Sequence, residues 1–388
     1  GHGLACLIGG CLLMFCACQE RVSDDDDDAA VGEVPDYCDV VVSPAGEPTI
    51  QEAADDVEAS EVICLAPGTY YENLLLTGFE ARIVGYEGAE ATVIDGNGAG
   101  TVVQIVDTAA TAAVLEGITI RNGYAESAGG LHVHDSDVFL TGIVVRDNVS
   151  ERSGGGIQTN GSNTQLVDVF IYENQSHEGG GLFHDSGSLS IDSSVVQGNT
   201  TVSEEDHSFG AGIFTVGDSF RLSRSRILDN MALGDSSSAG AIAMWSEVAE
   251  FESVEIAGNA AGRRVLEFDY AVVDASNLLI ASNSGDSALY TEDESHLRLS
   301  NVAWLNNDGL ALHGGGIVEM ENCILDSTAG GGMWFSASES VVSISNCVVT
   351  GNTGSPAGSF RGLEFTLANT IVAVNTYTEQ SDAIGGLQ

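Results

Sequence analysis

A nine-residue frame recurs eleven times along this chain, about 25 residues apart, and nine of the copies end in Asn. The series opens with LEGITIRNG at Leu115, LTGIVVRDN at Leu140 and LVDVFIYEN at Leu166, and closes with ISNCVVTGN at Ile344 and LANTIVAVN at Leu367. A fixed period of this length marks stacked repeats, each too small to bury an apolar face alone. The sixth position is apolar in every copy, from Ile120 and Val145 to Val349 and Val372. The fourth is mostly apolar and the fifth varies, which is the period-two signature of a strand. A second short strand precedes most frames, as in GGLHVHD, GGGIQTN and GGGLFHD. The Gly-, Asn- and Ser-rich turns between strands leave no room for helices of ten or more residues.

Strands repeating in register stack in parallel at about 4.8 Å. The sequence therefore predicts an all-β chain forming one right-handed parallel β-helix of roughly 12–14 coils, over residues 37–388. The frame-final column Asn148, Asn174, Asn199, Asn230, Asn259, Asn283, Asn307, Asn352 and Asn375 is expected to form a ladder of side-chain amides. Asn there also suits a tight turn that needs the left-handed conformation. Thr49 followed by Glu52 is a capping box, so residues 48–58 are expected to form a short helix lying over the N-terminal coil.

Residues 1–18 contain the apolar run GLACLIGGCLLMFCAC, too short for a membrane span and suited to a signal peptide. Cys18, after the small Ala17, is a lipidation candidate. Residues 19–36 would then be an acidic flexible linker. An ordinary secretory leader is the alternative. Either way the protein is expected to be exported, at a cell surface or outer membrane through a lipid anchor, or extracellular, and monomeric. Two cysteine pairs fit an oxidising compartment. Cys323 and Cys347 share the fourth frame position in adjacent coils, and Cys38 and Cys64 flank the helix.

The 57 acidic residues face only 12 basic ones, all Arg, for a net charge of −45. Such a surface repels nucleic acid and anionic lipid. Ca²⁺ is a possible cofactor, since carboxylates are its ligands, although a diffusely solvated acidic surface explains the same composition.

In the strand upstream of each frame, outward positions should form two columns. One carries His132, Gln158, Phe183, Phe214, Ala243, Glu267, Tyr290, Ala311 and Trp334. The other carries His134, Asn160, Asp185, Val216, Trp245, Asp269, Glu292, His313 and Ser336. Phe183, Phe214, Trp245, Tyr290 and Trp334 beside Asp185 are ligand-binding candidates, because aromatic faces stack on sugar rings and acids bond hydroxyls. Glu267, Asp269 and Glu292 are catalytic candidates, because two carboxylates about 5–9 Å apart can hydrolyse a glycoside.

The stretch PTIQEAADDVEASEVICLAPGTYYENLLL, with the repeats after it, resembles the pectin-lyase-like right-handed β-helix superfamily. GGGI strands followed by Asn-ended frames resemble the repeats of polymorphic outer-membrane proteins. The resemblance implies the fold and leaves activity open, since that superfamily holds lyases, hydrolases, epimerases, phage spikes and adhesins. The Asn-Thr-Asp, Asp-Asp, Gly-His-Gly and Arg-Ile-Lys blocks of its polygalacturonase-like members are absent as a set from these strands, and the chain has no Lys. Arg263, Arg264 and Arg298 are the basic residues that can lie near the acidic face. Two readings follow: a non-enzymatic surface protein for adhesion, glycan contact or envelope structure, or a polysaccharide lyase or glycoside hydrolase. Its partner would be a polysaccharide or another surface protein.

Overall fold

Each frame of nine folds into two strand ends separated by two left-handed corners. In the second copy, Leu140 and Thr141 close the strand Val138–Thr141, Gly142 turns at φ +57°, Val144–Arg146 runs along the next wall and Asp147 turns at φ +55°. The following coil repeats this with Thr164–Val167, Asp168, Phe170–Tyr172 and Glu173. The left-handed residue is therefore the one before the ladder Asn. The turn-conformation argument for Asn is corrected accordingly: Gly, Asp, Asn and Ser at the third and eighth positions serve the corners, and the ninth serves the ladder.

The structure is a computed structural model. It describes residues 33–388 except 109–111, 203–207, 235–238, 246–247, 293, 336–339, 355–357, 361–363, 374 and 378–388. Cys18, the leader and most of the acidic linker lie outside the described residues. The coils form three long parallel walls. A first sheet of 14 strands starts at Val40–Val42, a second of 13 at Gly68–Tyr70 and a third of 12 at Leu74–Thr77. The fold is a right-handed parallel β-helix of about twelve turns. Inward side chains merge into one apolar column from Val42 to Val349, with Trp304 fully buried within it.

The ladder runs along a buried corner. Asn148 Nδ2 donates to Asn174 Oδ1 at 3.0 Å, and the same step links Asn174 to Asn199, Asn199 to Asn230 and Asn230 to Asn259. Each amide oxygen also accepts the backbone N–H of the Asn one coil earlier, as from Asn199 to Asn230 at 3.0 Å. The GG and GGG runs pack against these amides. A Cβ on Gly156 would meet Gly181 O at 2.6 Å and Asn174 Nδ2 at 2.9 Å, so only glycine fits there. Thr328 interrupts the column: its side chain and N–H donate to Asn352, and no amide there accepts from Asn307. Thr328→Asn is expected to complete the ladder and raise stability by about 1 kcal/mol in urea unfolding.

At the N-terminal side, Ile50–Asp56 is a helix, shorter than the 48–58 expected, with the capping box formed. Glu52 Oε2 accepts from Thr49 N at 2.9 Å, and Thr49 Oγ1 accepts from Glu52 N at 3.2 Å. Ile50 and Ala53 are buried. Cys38 and Cys64 form a disulfide with Cα atoms 5.6 Å apart.

Cys323 and Cys347 are not joined; both are free and buried. Stacking at one frame position sets suitable Cα spacing, but parallel side chains hold their Cβ atoms near the strand spacing of about 4.8 Å, beyond the ~3.8 Å of a disulfide. Instead Cys347 Sγ accepts the N–H of Cys323 at 3.3 Å. Ser225 Oγ does the same for Ser194, and Thr370 Oγ1 for Cys347. The thiols are thus links in a corner column of side-chain acceptors.

Candidate functional site: the outer face of the third sheet

Parallel register along the third sheet aligns His132, Gln158, Phe183, Phe214, Ala243, Glu267, Tyr290, His313 and Trp334. One coil departs from the expected columns. Leu310 and Leu312 pair with Ser287 and Leu289, so His313, and not Ala311, follows Tyr290. Ala311 and Leu312 both sit in the apolar core, so the outward column of this coil resumes at His313. Ser336 lies outside the described residues.

The face is less open than simple alternation implies. Trp245, Trp334 and Tyr270 are exposed, while Phe183, Asp185, Tyr290, Glu292 and His313 are half-buried. Phe214 is 2% exposed, Glu267 3% and Asp269 8%. The expectation that these three point freely into solvent is therefore corrected. Phe214 is buried by other rings: Phe183 at 5.4 Å, Phe209 at 5.8 Å and Trp245 at 5.0 Å, centroid to centroid. Phe209 lies in the turn SFGAG, outside the repeating frame, and sequence periodicity gives no signal for it. Edge-to-face contacts such as Phe214–Trp245 are favourable beyond their buried area. A second aromatic run continues down the rod, with Tyr290–His313 at 5.4 Å and His313–Trp334 at 5.7 Å.

Between the two runs sit the acids. Arg264, at the start of the strand Arg264–Phe268, forms an ion pair with Glu267, and its guanidinium lies 3.4 Å from the Tyr290 ring centre. A guanidinium over an aromatic face is held by the ring quadrupole. Asp269 follows the strand and takes a hydrogen bond from the Trp245 side chain. Burial, reinforced by the charges of Glu267 and Glu292, pushes its carboxyl up to about 7, against the pull of Arg264 and the Trp245 bond. Glu292 bonds the exposed Tyr270 hydroxyl. Burial, then Arg264, holds His313 below the usual imidazole range. Glu267 Oε2 and Asp269 Oδ1 are buried with no hydrogen-bond partner among the described residues.

The fold thus gathers Trp245, Glu267, Asp269, Tyr290 and Glu292 on successive coils, with Arg264 added. Asp185 and Phe183 stand nearer the N-terminal end of the face, where Asp185 bonds Ser186 at 3.0 Å, and Trp334 lies at the other end. Among the described residues no three His, Cys, Asp or Glu side chains gather to hold a metal ion, so no Ca²⁺ site is assigned. A depression of about 520 Å³ on the first sheet's outer face is lined by Arg221, Glu250, Asp274, Arg298 and Glu319. Both its guanidiniums are closed by ion pairs, Arg221 with Glu250 and Arg298 with Asp274 at 2.9 Å, which leaves it less chemistry than the third-sheet face.

Residues 211–377 match the family described as "Right handed beta helix region". No curated protein matches the sequence. Among solved structures, the chain is similar to the A-module of an Azotobacter vinelandii mannuronan C-5 epimerase, at 14% identity over 86% of this chain and 95% of that one, with a TM-score of 0.34. It is also similar to the catalytic domain of an α-1,3-glucanase in complex with nigerose, at 14% identity over 92% and 70% and a TM-score of 0.38. A Yersinia enterocolitica family 28 exopolygalacturonase shares 7% identity over 87% and 78%, with a TM-score of 0.27. These likenesses are too distant to bear on activity.

Proposed function

We propose that this protein is an exported β-helix that holds a carbohydrate chain along the outer face of its third sheet. The observation that carries the reading is the half-buried Glu292, beside the buried acids Glu267 and Asp269, flanked along the rod by exposed Trp245 and Trp334. Aromatic faces cover the apolar faces of sugar rings, and carboxylates accept from their hydroxyls. The leader-like N-terminus and the Cys38–Cys64 disulfide support export. The GGGI repeats support a bacterial surface location, through a lipid on Cys18 or by secretion.

The test is binding to a panel of soluble polysaccharides, followed by retardation in glycan-containing gels. Trp245→Ala and Trp334→Ala are each expected to weaken retention about tenfold, the effect of roughly 1.4 kcal/mol. Retention by neither the parent nor any variant on any glycan overturns the reading.

One observation favours a second reading, glycoside hydrolysis. A carboxyl pushed up to about 7 keeps its proton in about half of the molecules at neutral pH and can act as a general acid. Asp269 would give its proton to the glycosidic oxygen as the bond from C1 breaks. Water would add to C1 and lose its proton to Glu292. Because Asp269 is 8% exposed and bonded to the Trp245 side chain, that bond has to open for this step. New reducing ends from one glycan of the panel, reduced at least 100-fold in Asp269→Asn and declining above pH 7, are the expected result. Equal rates in parent and variant dismiss Asp269 as the acid.

A further inference from the structure

We infer that the third-sheet face selects an uncharged glycan and rejects polyuronates and other acidic chains. This rests on the reading of that face as a carbohydrate site and adds the substrate class. The uncompensated charge along the track is negative: Glu292 in the centre, beside an Asp269 that is partly ionised at neutral pH and a Glu267 balanced by Arg264, with Glu294 close enough to act on Tyr270 and Asp286 close enough to act on His313.

The positive charges near the track do not supply a carboxylate receptor. Arg264 is enclosed between its Glu267 ion pair and the Tyr290 ring, with its side chain 16% exposed. A sugar carboxylate could take this guanidinium only by displacing a buried carboxylate that would then lack its counter-charge, a costly exchange. Arg263 is exposed, but it and Asp286 act on His313 in opposite senses, so that edge of the track carries little net positive potential. His313 itself is held toward its neutral form by burial. No lysine exists in the chain to offset this, and the whole molecule carries −45. What remains for recognition is uncharged chemistry: the rings of Trp245, Tyr290 and Trp334 for sugar faces, and Glu292 with the Tyr270 hydroxyl for sugar hydroxyls. Rings lie on both sides of the acids, so the bound chain runs along the rod through the acid cluster and does not end at it.

The test is calorimetric titration of the full chain with neutral linear oligosaccharides and with oligouronates of matched length, each at about 20 mM and 500 mM salt. Expected is binding of at least one neutral oligosaccharide that changes less than threefold with salt and falls about tenfold in Trp245→Ala and in Trp334→Ala. Oligouronates should bind at least tenfold more weakly at low salt, with the gap narrowing at high salt as screening shortens the repulsion. Asp286→Asn with Glu294→Gln should raise oligouronate affinity several-fold. Oligouronates that bind as tightly as neutral chains at low salt, through the same two tryptophans, overturn the inference and leave the glycan reading standing. Binding of neither class overturns both.

Discussion

Asn230→Ala lowers the stability of the rod by about 3–5 kcal/mol. Asn230 is fully buried. Its Oδ1 accepts from Asn199 N and Asn199 Nδ2, both at 3.0 Å, and its Nδ2 donates to Val196 O and Asn259 Oδ1, both at 3.0 Å. Truncation takes a partner from four buried polar groups; Asn199 Nδ2 keeps Ile171 O and Asn259 Oδ1 keeps Asn230 N, so the largest losses fall on Asn199 N–H and Val196 O, each worth about 1–3 kcal/mol, with the cavity left by the side chain added. Asn230→Asp is no remedy, since it keeps the acceptor, loses both donors and buries a charge. Asn375→Ala should cost only about 1 kcal/mol, because Asn375 is half-buried and water can replace it. Urea unfolding of the three variants checks this. Similar midpoints for Asn230→Ala and Asn375→Ala would mean that the central ladder is solvated.

The ladder was legible in the sequence because it needs one residue type at one place in every coil. The walls were legible for a related reason, since period-two alternation between Gly-rich corners admits little but stacked strands. Details set by neighbours outside the frame were not. GLALHGGGI has apolar residues at both parities, and pairing with the preceding coil, which sets His313 beside Tyr290, decides which of them enter the core. The burial of Phe214 depends on Phe209, and the pairing of Glu267 depends on Arg264. Phe209 enters from a turn outside the frame, and Arg264 stands at a strand start, three residues before Glu267, that the outward columns do not include. Cys323 and Cys347 show the same limit: their shared position was readable, but the direction of their Cβ bonds, which rules out the bridge, belongs to the folded corner.

Asp269→Asn is expected to stabilise the protein, and to do so more at pH 8 than at pH 5. The Asp269 carboxyl ordinarily titrates at 3.8 and is pushed up to about 7 in the fold. A carboxyl raised in this way binds its proton more tightly folded than unfolded, so stability falls as pH rises from about 4 through 7 and then levels off. At full burial the whole difference amounts to ~4 kcal/mol, and solvent at the carboxyl's open edge lowers the expected value to about 2–3 kcal/mol at pH 8. Part of the loss is already present at pH 5, so the variant's advantage should grow by about 2 kcal/mol between pH 5 and pH 8. His132, His184 and His313, which burial holds below the usual imidazole range, destabilise the fold as pH falls below about 6.5. They do so equally in parent and variant, and cancel in the difference. Urea midpoints of both proteins at the two pH values measure the effect. A variant no more stable than the parent at pH 8 would show the carboxyl to be well solvated and would remove the protonated acid that hydrolysis requires. A variant that is more stable, yet loses glycan retention or turnover, would identify Asp269 as a residue whose burial costs the fold stability in exchange for function.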